Sequence, residues 1–566
     1  MLNDLKTKLR SRIAEALTRA VASGELTAGE HAVALAENAG AGIDLERPKD
    51  KGHGDLATNL AMLLARRERK APRAVAEVVL RHFHPEGTWV DRTEIAGPGF
   101  INFHLDRAWL GEVLRQVLRE GAAYGRSRIG GGRRVIVEFV SANPTGPMVV
   151  VQARSGAVGD TLGNVLDAAG YRVHREFYVN DAGNQFLVLA RTMEVRVRQQ
   201  LGEALELPEE AYPGEYVVEL AREYLQRFGA EVLQSMEGER LERLGRFAVE
   251  RIRAGHEAAL LQYGVRFDRW FSEQSLREAG EPERIVRLLT ERGHTYENDG
   301  AVWFRSTAFG DDKDRVLVKS DGSYTYVVPD IAYHLNKFER GFEQVIDILG
   351  PDHHGYVARM RAALRALGRP AEAFEVLIAQ HVRLLREGQP VSMSKRAGQF
   401  ITLADLLEEA GKDAARFFFL LRSVDSHLDF DLDLARTQTD ENPVFYVQYA
   451  HARICSILRQ EAAQRHLGGL ATAELERLRD PSEEELSEHL ATLPGEVAAA
   501  AQHREPHRIT RYALDLAGLF HAFYTRCRVL TEDDELSRAR LALCQGTRIA
   551  LQNSLGLLGV SAPERM

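Results

Sequence analysis

Glu138 stands inside an otherwise apolar run, Val135-Ile136-Val137-Glu138-Phe139-Val140, where an unpartnered carboxylate would be expensive to bury. It is therefore a candidate for holding a cationic group. The run is β-branched and has the length of a buried strand, and Ser141 to Pro147 follows as a loop by its Asn, Pro and Gly content. Apolar residues at helical spacing from about Ala153 to Ala169, with Gly170 at a C-cap position, lead to a second strand-like run, Tyr171 to Val179. This is the pattern of a βαβ unit with parallel strands. Such a unit puts a loop and a helix N-terminus at the carboxyl end of a strand, where backbone N–H groups and the helix dipole favour phosphate. The segment carries neither G-x-G-x-x-G nor G-x-x-x-x-G-K-[ST], so a dinucleotide fingerprint and a P-loop are both poorly supported.

Other chemistry-bearing residues are ambiguous by themselves. Asp352, His353 and His354 are ligand types, but successive side chains at a strand-to-helix junction point in different directions. No second ligand cluster of matching spacing is visible, and a metal centre is not expected. Asp330, in TYVVPDIAYH, reads as an N-cap for a helix Ile331 to Phe338, and Asn143 as part of an Asn-Pro turn. Tyr446, Gln448, Tyr449, His451 and Arg453 mix aromatics and donors along one helix. They suit either stacking on unpaired bases or core packing, as do Phe520, Phe523, Tyr524 and Arg528.

The elements that must position these residues follow from length and pattern. A chain of 566 residues exceeds one core, and its 45% hydrophobic and 27% charged composition is that of an ordinary globular protein. No apolar run reaches the roughly 18 residues of a membrane span, and the start, MLNDLKTKLRSR, has no apolar signal core. A cytoplasmic protein is expected. The net charge of −9 argues against non-specific coating of nucleic acid but permits local basic faces at Lys6 to Arg12, Arg66 to Lys70 and Arg126 to Arg134. Cys455, Cys527 and Cys544 lack C-x-x-C spacing and are expected as unpaired thiols.

Helical patterns at Leu5 to Ala22, Leu56 to Arg67 and Pro72 to His84 precede strand-like Arg92 to Ile95 and Phe100 to Leu105, an α+β arrangement over residues 1–107. A connector, 108–132, contains a helix Ala108 to Gly121 and ends in a Gly triplet. From 133 to 405 the pattern is α/β. A charged helical insertion interrupts it at about 191–261, and strand-like pieces return at 301–304, 316–319, 325–328 and 344–350. Residues 406–566 read as almost wholly helical.

Taken in order, the motifs resemble one family, the arginyl-tRNA synthetases of class I. They include ERPKDKGHGDLATNLA, IAGPGFINFHL, VEFVSANPTGP, REFYVNDAGNQ, SDGSYTYVVPDIAYH, ILGPDHHGYVARM, VSMSKRAGQFITL and DENPVFYVQYAHARICSI. The resemblance spans essentially the whole chain. It implies a multidomain α/β protein with an N-terminal α+β domain touching the tRNA elbow and a Rossmann-like parallel-sheet catalytic domain. An all-α anticodon-binding domain completes it. It also implies ATP-dependent ligation of arginine to tRNA through an arginyl-adenylate, with Mg2+ arriving with ATP, no permanently bound metal, and a monomer.

By the same resemblance Lys395, with Ser394 and Met393 beside it, matches the KMSKS lysine that steadies the triphosphate, and Ser392 stands where a first lysine often stands. His353, His354 and Gly355 line the nucleotide pocket. Glu138, Ser141, Asn143, Tyr326 and Asp330 are implied to bind arginine, a guanidinium being well matched by carboxylates in bidentate fashion. Tyr446, Gln448, Tyr449 and Arg453 are implied to meet tRNA.

One departure stands out: family members usually carry His-x-Gly-His where this chain has Val149-Val150-Val151-Gln152. Val149 offers no hydrogen bond, Val151 adds bulk, and Gln152 alone keeps a donor on the ATP side. Two readings follow, an active enzyme in which Gln152, backbone N–H groups and Lys395 compensate, or a weakened paralogue that binds tRNA or arginine.

Overall fold

The computed structural model describes residues 2–27, 40, 42–48, 50–351, 354–391 and 401–566. Helix α1, Leu2–Ala22, opens an N-terminal unit in which β1, Leu56–Thr58, precedes α2, Leu60–Glu68, and α3, Pro72–Arg81. The helix expected from Leu56 thus starts four residues later, because Leu56 to Thr58 pairs with an adjacent strand. Strands β2, Val90–Ala96, and β3, Phe100–Leu105, complete an antiparallel sheet of order β1-β3-β2. Gly99, at φ 140° in the turn between them, lies so close to Pro72 that a Cβ would fall 2.8 Å from its side chain. The connector helix α4, Ala108–Glu120, follows.

The central unit is built on a five-stranded parallel sheet. Its strands are β4 (Arg134–Glu138), β5 (Arg172–Val179), β6 (Arg269–Ser272), β10 (Gln344–Leu349) and β11 (Phe374–Ile378), in the order β11-β10-β4-β5-β6. Strand β4 is buried on both faces, which explains its unbroken apolar character. Helix α5, Val150–Ala168, crosses from β4 to β5 as the βαβ pattern requires. Three helices, α6 (Gly183–Gln200), α7 (Glu215–Phe228) and α8 (Glu237–Gln262), form the insertion around a core of their own that includes Phe186, Leu189, Tyr224 and Leu244.

Beyond β6 come α9 (Glu273–Glu278) and α10 (Glu281–Glu291), then a three-stranded antiparallel sheet of β7 (Thr295–Asn298), β8 (Ala301–Phe304) and β9 (Arg315–Val318). Helix α11, Val327–Glu339, comes next. Of residues 325–328, expected as strand, Tyr326 takes the N-cap position and Val327 and Val328 begin this helix. Pro329 falls in its first turn, where no N–H is needed, and β-branched valines made the short run look extended. After α12, His354–Ala366, strands β12 (Val382–Arg386) and β13 (Gln389–Pro390) lead to helices α13 (Leu403–Ala410) and α14 (Lys412–Phe419).

Strand β14, Leu428–Asp431, pairs in parallel with β12, so the region after 405 is not wholly helical. A four-residue alternation, Leu-Asp-Phe-Asp, is too short to stand out against helical neighbours. The remainder is helical: α15 (Pro443–Leu458), α16 (Pro481–Leu490), α17 (Leu493–His503), α18 (His507–Arg526) and α19 (Asp534–Leu558). Cys455, Cys527 and Cys544 are buried there and unpaired. Among the described residues no helix is long and apolar enough to cross a membrane.

Buried Arg416 fastens the central unit to the C-terminal helices. Its guanidinium donates to Asp160 Oδ2 at 2.6 Å on α5 and to the Leu558 carbonyl at 2.8 Å at the end of α19.

Candidate active site

Chain order reverses between β4 and β10, so their carboxyl ends part and leave a crevice, the usual ligand position in an open parallel sheet. A cavity of about 560 Å³ lies there. Glu138, Ser141, Asn143, Val151, Gln152, Tyr326 and Asp330, all singled out from sequence, line it together. Val149 does not. It faces a separate space of about 260 Å³ on the other side of the Ser141–Pro147 loop, shared with Asn143 and Gln152.

Glu138 is buried, but it is not without a partner. Register places Asp347 of β10, Glu138 of β4 and Glu176 of β5 in one row across adjacent strands, and α11 lies over that row. Lys337 Nζ donates to Glu138 Oε2 at 2.5 Å and to Asp347 Oδ1 at 2.8 Å, while His334 Nε2 meets Asp347 Oδ2 at 2.7 Å. The Tyr333 hydroxyl and the Arg340 guanidinium both donate to Glu176. The partner that a buried Glu138 was expected to require is thus supplied within the fold by the Lys337 ammonium. Ser141 Oγ donates to Glu138 Oε1 at 2.9 Å and so faces inward with it.

Burial would strip the proton from Lys337, but the Asp347 and Glu138 carboxylates outweigh it and hold the ammonium charged. Burial likewise raises Asp347, yet Lys337 and His334 keep it below the usual carboxylate range. Glu138 is pushed up by burial, with Lys337 pulling the other way and the Asp347 charge pushing again, so Asp347 carries the firmer charge of the two.

Asp330 behaves differently. It is the fourth residue of α11 rather than its N-cap, a position taken by Tyr326, and it faces the cavity. Burial, followed by the charges of Glu273 and Glu138, pushes its carboxyl up to about 8, with Arg359 opposing. No hydrogen bond to that carboxyl forms among the described residues. Glu273, which sequence reasoning missed, begins α9 behind the N-cap Ser272 and lines the same wall. Its Oε1 accepts from Arg277 Nη2 at 2.6 Å. No motif pointed to it; the acidic first turn after Phe271-Ser272 was the one available signal. Tyr326 is on the rim, 71% exposed, with the Arg359 guanidinium 5.7 Å from its ring centre.

At the head of α5 the Gln152 Oε1 atom accepts from the Val149 N–H at 3.0 Å, so its oxygen caps the helix and its amide N–H groups remain as donors. Val151 is 44% exposed on the cavity wall. Val150 N–H donates to Ile401 O at 3.2 Å and Leu403 N–H to Met148 O at 2.8 Å, tying this turn to the segment that follows residue 400.

Glu138, His334 and Asp347 bring ligand-type atoms within 4.8 Å of one another. Lys337 already bonds both carboxylates, however, and a metal ion placed among them would face its ammonium. The trio does not fit a resident metal.

Residues 7–105 match the family described as Arginyl tRNA synthetase N terminal domain, 113–419 tRNA synthetases class I (R), catalytic domain, and 447–566 DALR anticodon binding domain. The arginine--tRNA ligase of Symbiobacterium thermophilum is 54% identical over 568 residues, covering 100% of both chains. This chain belongs to the arginyl-tRNA synthetase family. The arginine--tRNA ligase of Desulforamulus reducens is 48% identical, again across 100% of both chains. Among solved structures, the Thermus thermophilus arginyl-tRNA synthetase superposes with a TM-score of 0.73 at 27% identity, covering 93% of this chain and 96% of that one.

Several residues that the arginyl-tRNA synthetase pattern singled out lie outside the described residues: Asp352, His353, Ser392, Met393, Ser394 and Lys395. Of His354 the backbone alone is described, at the head of α12, and Gly355 follows it in that helix. In α15 the four residues matched to tRNA binding separate by helix face. Gln448 is buried, its Nε2 donating to Asp413 Oδ2 and the Ser561 carbonyl, both at 2.9 Å, so it secures the C-terminal tail and is withdrawn from the tRNA set. His451 does the same through the Pro563 carbonyl. Tyr446, Tyr449 and Arg453 share the other flank with His521 and Tyr524, the Arg453 guanidinium lying between the two tyrosine rings of Tyr449 and Tyr524. Phe520 and Phe523 are core residues.

Proposed function

We propose that the cavity at the carboxyl ends of β4 and β10 is where arginine meets ATP, and that its acidic wall selects the guanidinium. The chain is an ATP-dependent arginine--tRNA ligase, acting through an arginyl-adenylate with release of AMP and diphosphate. The observation that carries the site assignment is half-buried Asp330 near buried Glu273 on the cavity wall, with no cation hydrogen-bonded to Asp330 among the described residues. A guanidinium entering there supplies that cation and offers a planar fork that an ammonium cannot copy. Lysine would leave an acceptor unpaired, a sufficient basis for rejection.

Toward the other end, Glu138 Oε1 with Ser141 and Asn143 faces the backbone groups of the amino acid. The arginine carboxylate then attacks the α-phosphate of ATP in line and diphosphate leaves, a step that needs positioning and neutralised phosphate charge. Gln152, with Val151 beside it, stands on the ATP side. By family resemblance His353, His354, Gly355, Met393, Ser394 and Lys395 complete that side, with Lys395 on the triphosphate. Mg2+ is assigned to the nucleotide's phosphates and not to a protein site. Val149, turned toward the smaller space, is not assigned to ATP.

Residues 1–107 are assigned to the tRNA elbow, with 108–132 as connector, 133–405 as the catalytic unit and 406–566, through Tyr446, Tyr449 and Arg453, as the anticodon unit. A monomer working in the cytoplasm completes the proposal. The weakened-paralogue reading has no observation in its favour, because the acidic pocket and the tRNA-facing tyrosines are all retained. Charging of tRNA with labelled arginine, run beside pyrophosphate exchange with and without tRNA, tests the assignment. Folded protein that binds tRNA and fails to charge it would overturn the proposal.

A further inference from the structure

The loop that presents Asn143 leaves β4 through two residues held in the left-handed region with side chains on them, Val140 at φ 69° and Ser141 at φ 37°. For a β-branched valine this backbone is costly, and it persists where the surroundings over-determine it. From within the central unit Val140 N–H donates to Ser155 Oγ at 3.0 Å, and Ser141 Oγ bridges Glu138 and the Tyr178 N–H.

Two further bonds come from the helical insertion, and they fall on successive carbonyls of the loop's far limb. The Tyr216 hydroxyl of α7 donates to the Thr145 carbonyl. His256 of α8 places Nε2 2.7 Å from the Gly146 carbonyl. At Gly146 a Cβ would lie 3.3 Å from the Tyr216 hydroxyl oxygen, so the tyrosine would have to give by a few tenths of an ångström if this position carried a side chain. The His256 ring is 2% exposed, and its Nδ1 has no hydrogen-bond partner among the described residues. Burial pushes the imidazole down, so it is neutral and its one N–H sits on Nε2, where the carbonyl requires it.

We propose that His256 and Tyr216 are positioning residues through which the helical insertion holds the strained Asn143 loop in its arginine-binding conformation. The inference rests on the assignment of the large cavity to arginine. A purely structural role for the pair is disfavoured by where they stand. The insertion has its own hydrophobic core, and the clamp spans the gap between that core and the site loop. The space of about 260 Å³ beside it is lined at once by Asn143, Gln152, Tyr212, Tyr216 and His256, so the clamp and the substrate-facing loop form one wall.

The test measures arginine KM and tRNA KM in charging by the full-length protein and by His256→Phe, His256→Gln and Tyr216→Phe. Loss of a positioning contact is expected to raise arginine KM about tenfold in His256→Phe and about threefold in Tyr216→Phe, with tRNA KM unmoved. His256→Gln, whose side-chain amide can donate to the same carbonyl, is expected to return arginine KM to within about twofold of the parent. Unchanged arginine KM in Tyr216→Phe and His256→Phe would overturn the clamp. So would a His256→Gln protein as impaired as His256→Phe, which would leave packing alone. Should His256→Phe fail to fold, Tyr216→Phe decides. Failure of the unsubstituted protein to charge tRNA would instead sink the parent assignment.

Discussion

Under the last turns of α11, Glu138 and Asp347 share the Lys337 ammonium and Glu176 takes the Arg340 fork; at its first turn, Asp330 lies near Glu273, whose ion pair among the described residues is with Arg277. Asp330 is half-buried on the cavity wall and the other four carboxylates are buried, and their charge states diverge. The first group is closed: each acid has a protein donor, and Asp347 is held low. The second is open, and Asp330 rises to about 8 because burial and the Glu273 and Glu138 charges outweigh Arg359. A buried acid that the fold has paired maintains the fold, whereas one left short of a cation is set up for a cationic ligand.

The strongest way to break this contrast is Lys337→Met. Glu138 and Asp347 would then lose their shared ammonium, keeping only Ser141 and His334 as donors, and the expected loss is about 3–5 kcal/mol in urea unfolding. A loss below about 1 kcal/mol would show that the closed group is not structural. Asp330→Asn is expected to do the reverse, leaving stability intact while removing about 1.5–3 kcal/mol of arginine binding, a rise in arginine KM of roughly 10- to 100-fold. ATP KM should hold. Unchanged arginine affinity would remove Asp330 from the site.

The pH dependence of arginine KM sharpens the same point. The guanidinium needs Asp330 ionised, and in the free protein the proton leaves only as pH rises through about 8. Affinity is therefore full above that value and weakens as pH falls below it, by up to about tenfold per unit, until the lower pKa of the occupied site is reached. Asp330→Asn should flatten the profile. The smallest effect is expected from Arg277→Ala, which leaves the Glu273 charge without its Arg277 partner near Asp330 and should shift the midpoint upward by less than about one unit. An unmoved midpoint would mean that the two acids do not sense each other.

Much of the architecture was legible in the chain. The βαβ unit, the helical insertion and the helical C-terminal third follow from period and turn chemistry, which are local. The failures were local too: residues 325–328 look extended because valines are β-branched, and Leu428–Asp431 is too short to declare itself. Of the residues that line the cavity, Ser141, Asn143, Gln152 and Asp330 were singled out through motif order. Glu273 was missed, because nothing near it in sequence marks it as facing Asp330. Gln448 and Arg453 show the limit from the other side. Both are polar residues on one helix, and only the tail at Ser561 to Pro563 shows which face is covered.

The amino-acid sequence alone determined which elements form, in what order, and to which family of chemistry they belong, since hydrophobic period and motif order act between near neighbours. The tertiary structure alone decided which carboxylates are paired. Glu138 and Lys337 are 199 residues apart, and Tyr216 and Thr145 are 71. Whether a buried charge has its partner depends on strand register and on the helix laid over it, and no local pattern in the chain carries that information.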